Sequence, residues 1–408
     1  MGAILLPLAG VTVVSLEQAV AAPFATRQLA DLGARVVKVE RPDGGDFARR
    51  YDEAVAGESS YFVWLNRSKE SVAVDVKAAD GRRILQELVD RADVVVQNLG
   101  PGAARRLDIA ADQVRVNDEA KIVLAITGWG STGPWAGRKA YDLLVQFEAG
   151  LPALTGSDTE PARVGISVAD IAAGMYGFSG VLAALYQRSV TGIGASLEVS
   201  LFEALAEWMS QPANYAAGAG VAPPRSGAHH ATIAPYGPYL TRDRKTLIVA
   251  VQNEPEWHRF CAVVLADPSL AHDHRFQRNS LRVANRAALN AIVADRFRAL
   301  DAVTAAGLLD EAAIGRATAS SVADFVQHPV LAQRDRWRPV QTPAGRAVAL
   351  LPPIDGWNGE ARMDPVPALG AHTSAVLHEL GRSRAEITDL ADRGVVQLAD
   401  DHAGTSFS

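Results

Sequence analysis

The sequence predicts an α/β protein: a Rossmann-like large domain on a mostly parallel sheet, joined to a smaller α+β domain. Three observations carry this. Short β-branched runs alternate with amphipathic segments through the first half of the chain, the pattern of strands covered by helices on both faces. A stretch rich in Gly, Pro and Ala, 212–230, breaks that pattern, and a second set of strands and helices follows it. The 408 residues are 48% hydrophobic and 21% charged, enough to bury a large core in more than one domain.

The elements follow in order. "VTVVSL" (11–16) is the first strand. The apolar N-terminus before it lacks a basic region and is broken by Pro7 and Gly10, so it reads as the approach to that strand and not as a signal peptide. "PFATRQLADLG" (23–33) is a helix, with Pro opening and Gly closing it. "ARVVKVE" (34–40), "SVAVDV" (71–76), "DVVVQN" (93–98) and "KIVLAIT" (121–127) are further strands, with the amphipathic "GRRILQELVDRA" (81–92) among them. After Asp170 comes a long apolar helix, then the strand "ASLEVSL" and the helix "FEALAEWM". No stretch reads as a membrane-spanning helix. The domain reading is 1–211 large domain, 212–230 linker, 231–327 small domain, 328–356 a second, Pro-rich linker, and 357–408 returning to the large domain. The polar end "DDHAGTSFS" reads as disordered.

Net charge is -6, which offers no general attraction to nucleic acid or anionic lipid. Cys261 is the single cysteine, so there is no internal disulfide and no CxxC site. The reading is a cytoplasmic protein with neither nucleic acid nor membrane as partner. All nine histidines lie at or beyond His229, so the first half holds no Ser–His dyad and no histidine metal cluster of its own. "HDH" (272–274) reads as an exposed loop, so no metal site is expected. No G-x-S-x-G elbow occurs. "GWGSTG" matches a dinucleotide fingerprint at Gly128, Gly130 and Gly133, but Pro134 and Trp135 follow where a helix must open. It reads as a loop near a ligand.

Three basic clusters follow strands: Lys38, Arg41, Arg49 and Arg50 around "PDGGD", Arg105 and Arg106 in "NLGPGAARRLD", and Arg138 and Lys139 in "GRKAYD". Each alone is an ordinary solvated face. Their repetition at strand ends, where open α/β sheets bind ligands, points to a polyanionic small molecule. Asp170 stands at the mouth of the long helix. It reads as an N-cap, and equally as a carboxylate nucleophile with nearby backbone amides to stabilise an oxyanion.

With these residues in view the chain resembles the class III CoA-transferases, the family of formyl-CoA transferase, carnitine CoA-transferases and α-methylacyl-CoA racemases. The resemblance runs from about residue 7 to 380. It rests on "AAPFATRQLADLGARVVKVERPDGGD", "YFVWLNRSKESVAVDVK", "DVVVQNLGPGAARRL", "ITGWGSTGPWAGRKAYDLLVQ" and "VGISVADIAAGMYGFSGVLAALYQR". It implies Asp170 as the nucleophile. It also implies CoA contacts at Val20, Ala21, Asn98, Leu99, Gly100, Arg106, Lys139 and Tyr141, with Lys38 and Arg41 joining them from the basic clusters. The implied partners are an acyl-CoA and a free carboxylic acid, with no cofactor beyond CoA as substrate, in an interlocked homodimer. "GAHHATIAPYGPY" (227–239) looks most like transferases of mesaconyl-CoA or citramalate type, acting on C4–C5 dicarboxylates. Arg49, Arg67, His229 and His230 are the candidates for the distal carboxylate. Two alternatives stay open: a racemase-like enzyme and a non-catalytic CoA-binding protein. Racemases of the family carry a His where this chain reads Arg138 to Asp142, which favours transfer.

Overall fold

The computed structural model describes residues 6–356 and 360–399; the polar end beyond lies outside the described residues. The chain divides into two compact units. Unit 1 comprises 1–149, 165–208 and 334–408, and unit 2 comprises 150–164 and 209–333.

Unit 1 is built on β1 (Thr12–Leu16), β2 (Arg35–Glu40), β3 (Lys69–Val74), β4 (Val94–Gln97), β5 (Ile122–Thr127) and β6 (Ser196–Ser200). These six strands are parallel, in the order 3-2-1-4-5-6. A short strand, Val396–Gln397, adds antiparallel to the β3 edge. Runs such as Val94–Val96 and Ile122–Leu124 are buried, because helices cover both faces of the sheet. The helices are α1 (Ala21–Asp31), α2 (Ser60–Asn66), α3 (Ala79–Arg91), α4 (Ala103–Arg106), α5 (Ala111–Arg115), α6 (Asp142–Glu148), α7 (Val168–Thr191) and α8 (Leu201–Trp208). On one face Ile84, Leu85, Leu88 and Val89 of α3 pack with Val14, Val37, Val95 and Val123, joined by Val376, Leu377, Ile387 and Leu390 from the C-terminal segment. Burying each such side chain stabilises the fold by about 1.5–3 kcal/mol.

On the other face α1 and α7 lie side by side. A Cβ on Gly174 would sit 2.7 Å from the Ala21 carbonyl oxygen and 3.0 Å from Phe24, and one on Gly177 would sit 3.7 Å from Ala25 and 3.0 Å from Leu124 of β5. Only glycine permits that approach. Contrary to the sequence reading, α7 is long and apolar enough to cross a membrane, with 24 residues and a mean hydropathy of 1.5. One face of it, with Ala172, Ala173, Gly177 and Val181, is buried in this packing.

Unit 2 carries a three-stranded antiparallel sheet of Tyr236–Leu240, Thr246–Ala250 and Gly315–Thr318. Helices pack around Trp257, Phe260, Phe276, Leu289, Val293, Phe297 and Leu309. The stretches read as linkers hold structure of their own. Ser210–Ala219 is a helix, since its alanines favour one despite Pro212 and Gly218. Trp337–Thr342 and Gly345–Leu350 form a hairpin, whose Val340 and Ala347 pack on Phe62 and Val63.

Candidate active site

The strand order reverses between β1 and β4, and ligands of open α/β sheets bind where it does. Two segments meet at that point. The Asn98 amide, just past β4, donates to Gln18 O at 2.8 Å and accepts Gln18 N–H at 2.9 Å. The next residue, Ala19, has φ +61°, the left-handed region that few non-glycine residues enter. Val20 then opens α1 as its N-cap with no side-chain cap. Val20 and Ala21 are buried. Leu99 N–H donates to Gln97 Oε1 at 2.8 Å, and Gly100 is exposed with open space where a Cβ would stand.

Cations ring these strand ends. Arg41 follows β2, Arg106 follows β4 and Lys139 follows β5, and all three are exposed. None forms an ion pair among the described residues. Among the described residues the Arg41 guanidinium bonds only the Gly45 carbonyl, at 2.8 Å. A groove of about 560 Å³ opens beside the head of α3, lined by Lys77, Arg82, Arg83, Gln86 and Glu87. Gln86 reaches from it to Leu107 O, next to Arg106, at 2.9 Å. The sequence reading missed this groove, although Lys77, Arg82 and Arg83 follow β3 as the other clusters follow their strands.

Asp170 is not the N-cap. Ser167 is, and Asp170 is the third residue of α7. The exposed helix amides are taken by Asp142 at the head of α6: its Oδ1 accepts Ala169 N–H at 2.7 Å and Asp170 N–H at 3.4 Å, and Gln146 donates to its Oδ2 at 2.7 Å. So the amides proposed for an oxyanion already have a partner. Burial, then the nearby Asp142 charge, push the Asp170 carboxyl up to about 7. A helix N-terminus favours the ionised form, and here desolvation outweighs it. Asp170 and Gly174 share one face of α7, four residues apart. Gly174 meets Ala21 and Gly177 meets Ala25, so α1 and α7 run in the same direction, and the Gln18–Ala19 turn precedes α1 at the end where Asp170 precedes Gly174.

Tyr51 completes the surroundings. It stands edge-on to Tyr61, with centroids 5.4 Å apart, and beside Phe47. Burial and the charges of Asp46 and Asp170 raise its phenol to about 12, so it is a hydrogen-bond donor at neutral pH. Tyr141, exposed, is the N-cap of α6. Neither Tyr51 nor Asp142 was singled out from sequence. The signal for Asp142 was its place directly after Tyr141, and the contact it makes is 27 residues away along the chain.

Four expectations are corrected. Lys38 lies inside β2, fully buried, with Nζ 2.8 Å from Asp46 and 3.4 Å from Glu17, so it does not reach a phosphate. Arg49 pairs with both oxygens of Glu40, at 2.7 and 2.9 Å, and lies 3.7 Å over the Phe62 ring. Arg67 grips Asp31 through two bonds of 2.9 and 2.8 Å and is buried. Neither arginine is free to take a substrate carboxylate. His229 packs edge-on to Tyr239 in unit 2, and burial followed by the Arg286 charge lowers its proton affinity, so it is a poor carboxylate partner. His230 is exposed and stacks on Tyr236. Among the described residues no group of three or more His, Cys, Asp or Glu is placed to hold a metal ion.

A profile of CoA-transferase family III matches residues 8–373. The chain is 32% identical over 405 residues to the succinyl-CoA:glutarate CoA-transferase of Homo sapiens, spanning 97% of this chain and 91% of that one. It is 30% identical to the succinyl-CoA:mesaconate CoA-transferase of Haloarcula hispanica, over 90% of this chain and 95% of that one. A CaiB/BaiF family protein from Brucella suis superposes with a TM-score of 0.80 at 31% identity, covering 92% of this chain and 99% of that structure. Strand order, unpaired strand-end cations and sequence relationship agree: the chain belongs to CoA-transferase family III and moves CoA from an acyl-CoA to a carboxylic acid.

Proposed function

We propose that the substrates are dicarboxylic acids and their CoA thioesters, and that Asp170 is the nucleophile. The observation that carries this is the placement of Asp170: a partly buried carboxylate in the first turn of α7, in the unit whose strand ends bear cations without an ion-pair partner among the described residues. The dicarboxylate class is supported by the relatives named for glutarate and mesaconate.

The CoA phosphates lie against Arg41, Lys77, Arg82, Arg106 and Lys139, and the pantetheine arm runs past Val20, Ala21 and Asn98 to Gly100. An Asp170 oxygen attacks the donor thioester carbonyl. The C–S bond breaks, leaving a mixed anhydride and CoA thiolate. The thiolate attacks the aspartyl carbonyl, which forms an aspartyl-CoA thioester and frees the donor acid. The acceptor carboxylate then attacks that thioester, releasing thiolate again. The thiolate takes the acyl group from the second anhydride, and Asp170 returns as a carboxylate. Thioester free energy is carried through each step, and the protons balance without an added acid or base. Tyr51, protonated at neutral pH, is suited to donate to the carbonyl oxygen as charge develops on it.

The assembly we propose is an interlocked homodimer. Leu143, Leu144 and Phe147 of α6 and Tyr186 and Val190 of α7 stay exposed in the single chain, and exposed apolar side chains of this extent mark interaction surfaces. We read the enzyme as cytoplasmic, needing no further cofactor and no membrane or nucleic-acid partner.

The test is covalent trapping. Incubated with succinyl-CoA alone, the wild type should gain the mass of CoA less water, and Asp170→Asn should gain nothing and lose transfer. Hydroxylamine should convert Asp170 to a hydroxamate. An adduct mapped elsewhere, or near-normal turnover in Asp170→Asn, would sink the assignment. Butyrate accepted as fast as glutarate would remove the dicarboxylate class alone.

A further inference from the structure

Two segments stand near Asp170: the turn ending in Tyr51, which feels its charge, and the Gln18–Ala19 turn before α1, whose Ala21 and Phe24 meet α7 at Gly174, about one turn beyond Asp170. One buried side chain, Asp46, fastens both. Its Oδ1 accepts Ala19 N–H at 3.1 Å and Ala48 N–H at 2.9 Å. The second bond caps the single helical turn Phe47–Arg50, which Tyr51 follows directly. Its Oδ2 meets Lys38 Nζ at 2.8 Å, with both side chains fully buried. Its own N–H donates to Glu40 Oε2 at 3.0 Å, which ties it back to the end of β2. Ala19, at φ +61°, is in a conformation that persists only when its surroundings over-determine it. Asp46 holds it from one side, and Asn98, through Gln18, from the other.

A carboxylate needed only to balance Lys38 has no cause to collect backbone amides from two separate loops, and Glu17 is a second counter-charge within 3.4 Å. We propose that Asp46 is a positioning residue of the CoA-transfer reaction: its Oδ1 sets the Gln18–Ala19 turn and Tyr51 against the Asp170 carboxylate, and Lys38 supplies the counter-charge that permits a carboxylate there. The inference rests on Asp170 as the nucleophile. It gives the buried lysine, wrongly expected at a phosphate, a different task.

The test separates geometry from charge. Asp46→Glu keeps the charge and moves the oxygen by about one bond length, ~1.5 Å. It should lower kcat on the order of 10- to 100-fold. Its KM for acyl-CoA should stay within about threefold of wild type, since loss confined to kcat marks an interaction made in the transition state. Two double variants, D46N/K38M and D46A/K38M, both lack the ion pair and leave position 38 uncharged; only the first retains Oδ1. The Asn double should turn over at least about tenfold faster than the Ala double. Equal turnover in the two doubles, or wild-type kcat in Asp46→Glu, overturns the proposal. Hydroxylamine mapping of the wild type is read separately: an adduct away from Asp170 overturns the nucleophile, while the ratio of the two doubles still judges Asp46.

Discussion

Unit 1 keeps two sets of cations apart. Under the strand ends, Lys38, Lys69, Arg49 and Arg67 each hold a carboxylate: Asp46, Glu17, Glu40 and Asp31. Around the strand ends, Arg41, Arg106 and Lys139 hold none among the described residues. The difference is one of solvent. A buried charge without a partner costs several kcal/mol, so the fold supplies one. A charge in water tolerates being alone, and it stays available to a ligand that brings the opposite sign. The inner set is therefore structural, and the outer set is the one we propose for binding. Even inside, pairing does not cancel burial: desolvation brings Lys69 down to about 8 despite Glu17 at 2.7 Å.

The same substitution in each set should break the molecule in different ways. Lys38→Met leaves Asp46 without its nearest counter-charge and should cost about 3–5 kcal/mol in denaturant unfolding. Arg106→Met should leave stability within about 0.5 kcal/mol. A small loss at Lys38, or a large one at Arg106, would erase the distinction between the two sets. Smaller in free energy is the effect on substrate. Arg106→Met and Lys139→Met should each raise KM for acyl-CoA about tenfold, a change of ~1.4 kcal/mol, with kcat held, as expected for uniform binding. A fall in kcat alone would move either residue to the acyl group.

The least costly test sharpens the carboxylate side of the comparison. Turnover should fall as pH drops through about 7, where Asp170 takes up its proton. Asp142→Asn removes the neighbouring like charge and should move that acid limb to lower pH. An unmoved limb would leave burial as the sole cause. The same shift has a stability sign. Asp170 binds its proton more tightly folded than unfolded, so its contribution is most favourable below about pH 4 and declines as pH rises toward 7. Asp170→Asn should therefore be more stable than wild type at pH 8, measured as a higher Tm.

The strands of the large unit and its helices were legible because hydrophobic period and Gly/Pro punctuation act locally. Arg106 and Lys139 were placed correctly past strand ends for the same reason. Lys38 was misread as a phosphate contact even though it stands inside the strand "ARVVKVE"; its buried partner Asp46 becomes visible only when the turn folds back. Arg67 and Asp31 are 36 residues apart, and Asp142 and Ala169 are 27 apart. Such pairs depend on how α2 meets α1 and α6 meets α7, which no periodicity announces. The helix in 210–219 and the hairpin in 337–350 were missed where composition outvoted pattern: proline and glycine marked both as loops, yet both form regular structure.

The strand Val396–Gln397 closes the β3 edge, and the neighbouring His372 and Thr373 accept backbone bonds from Ser71 and Ala73. Synthesis gives this closure a history. At about 5–20 residues per second, β3 waits on the order of tens of seconds on the ribosome for its edge partner. An open edge of that kind recruits strands from other nascent chains. The final residues of the described fold thus act as a latch on a sheet whose first strands were made long before.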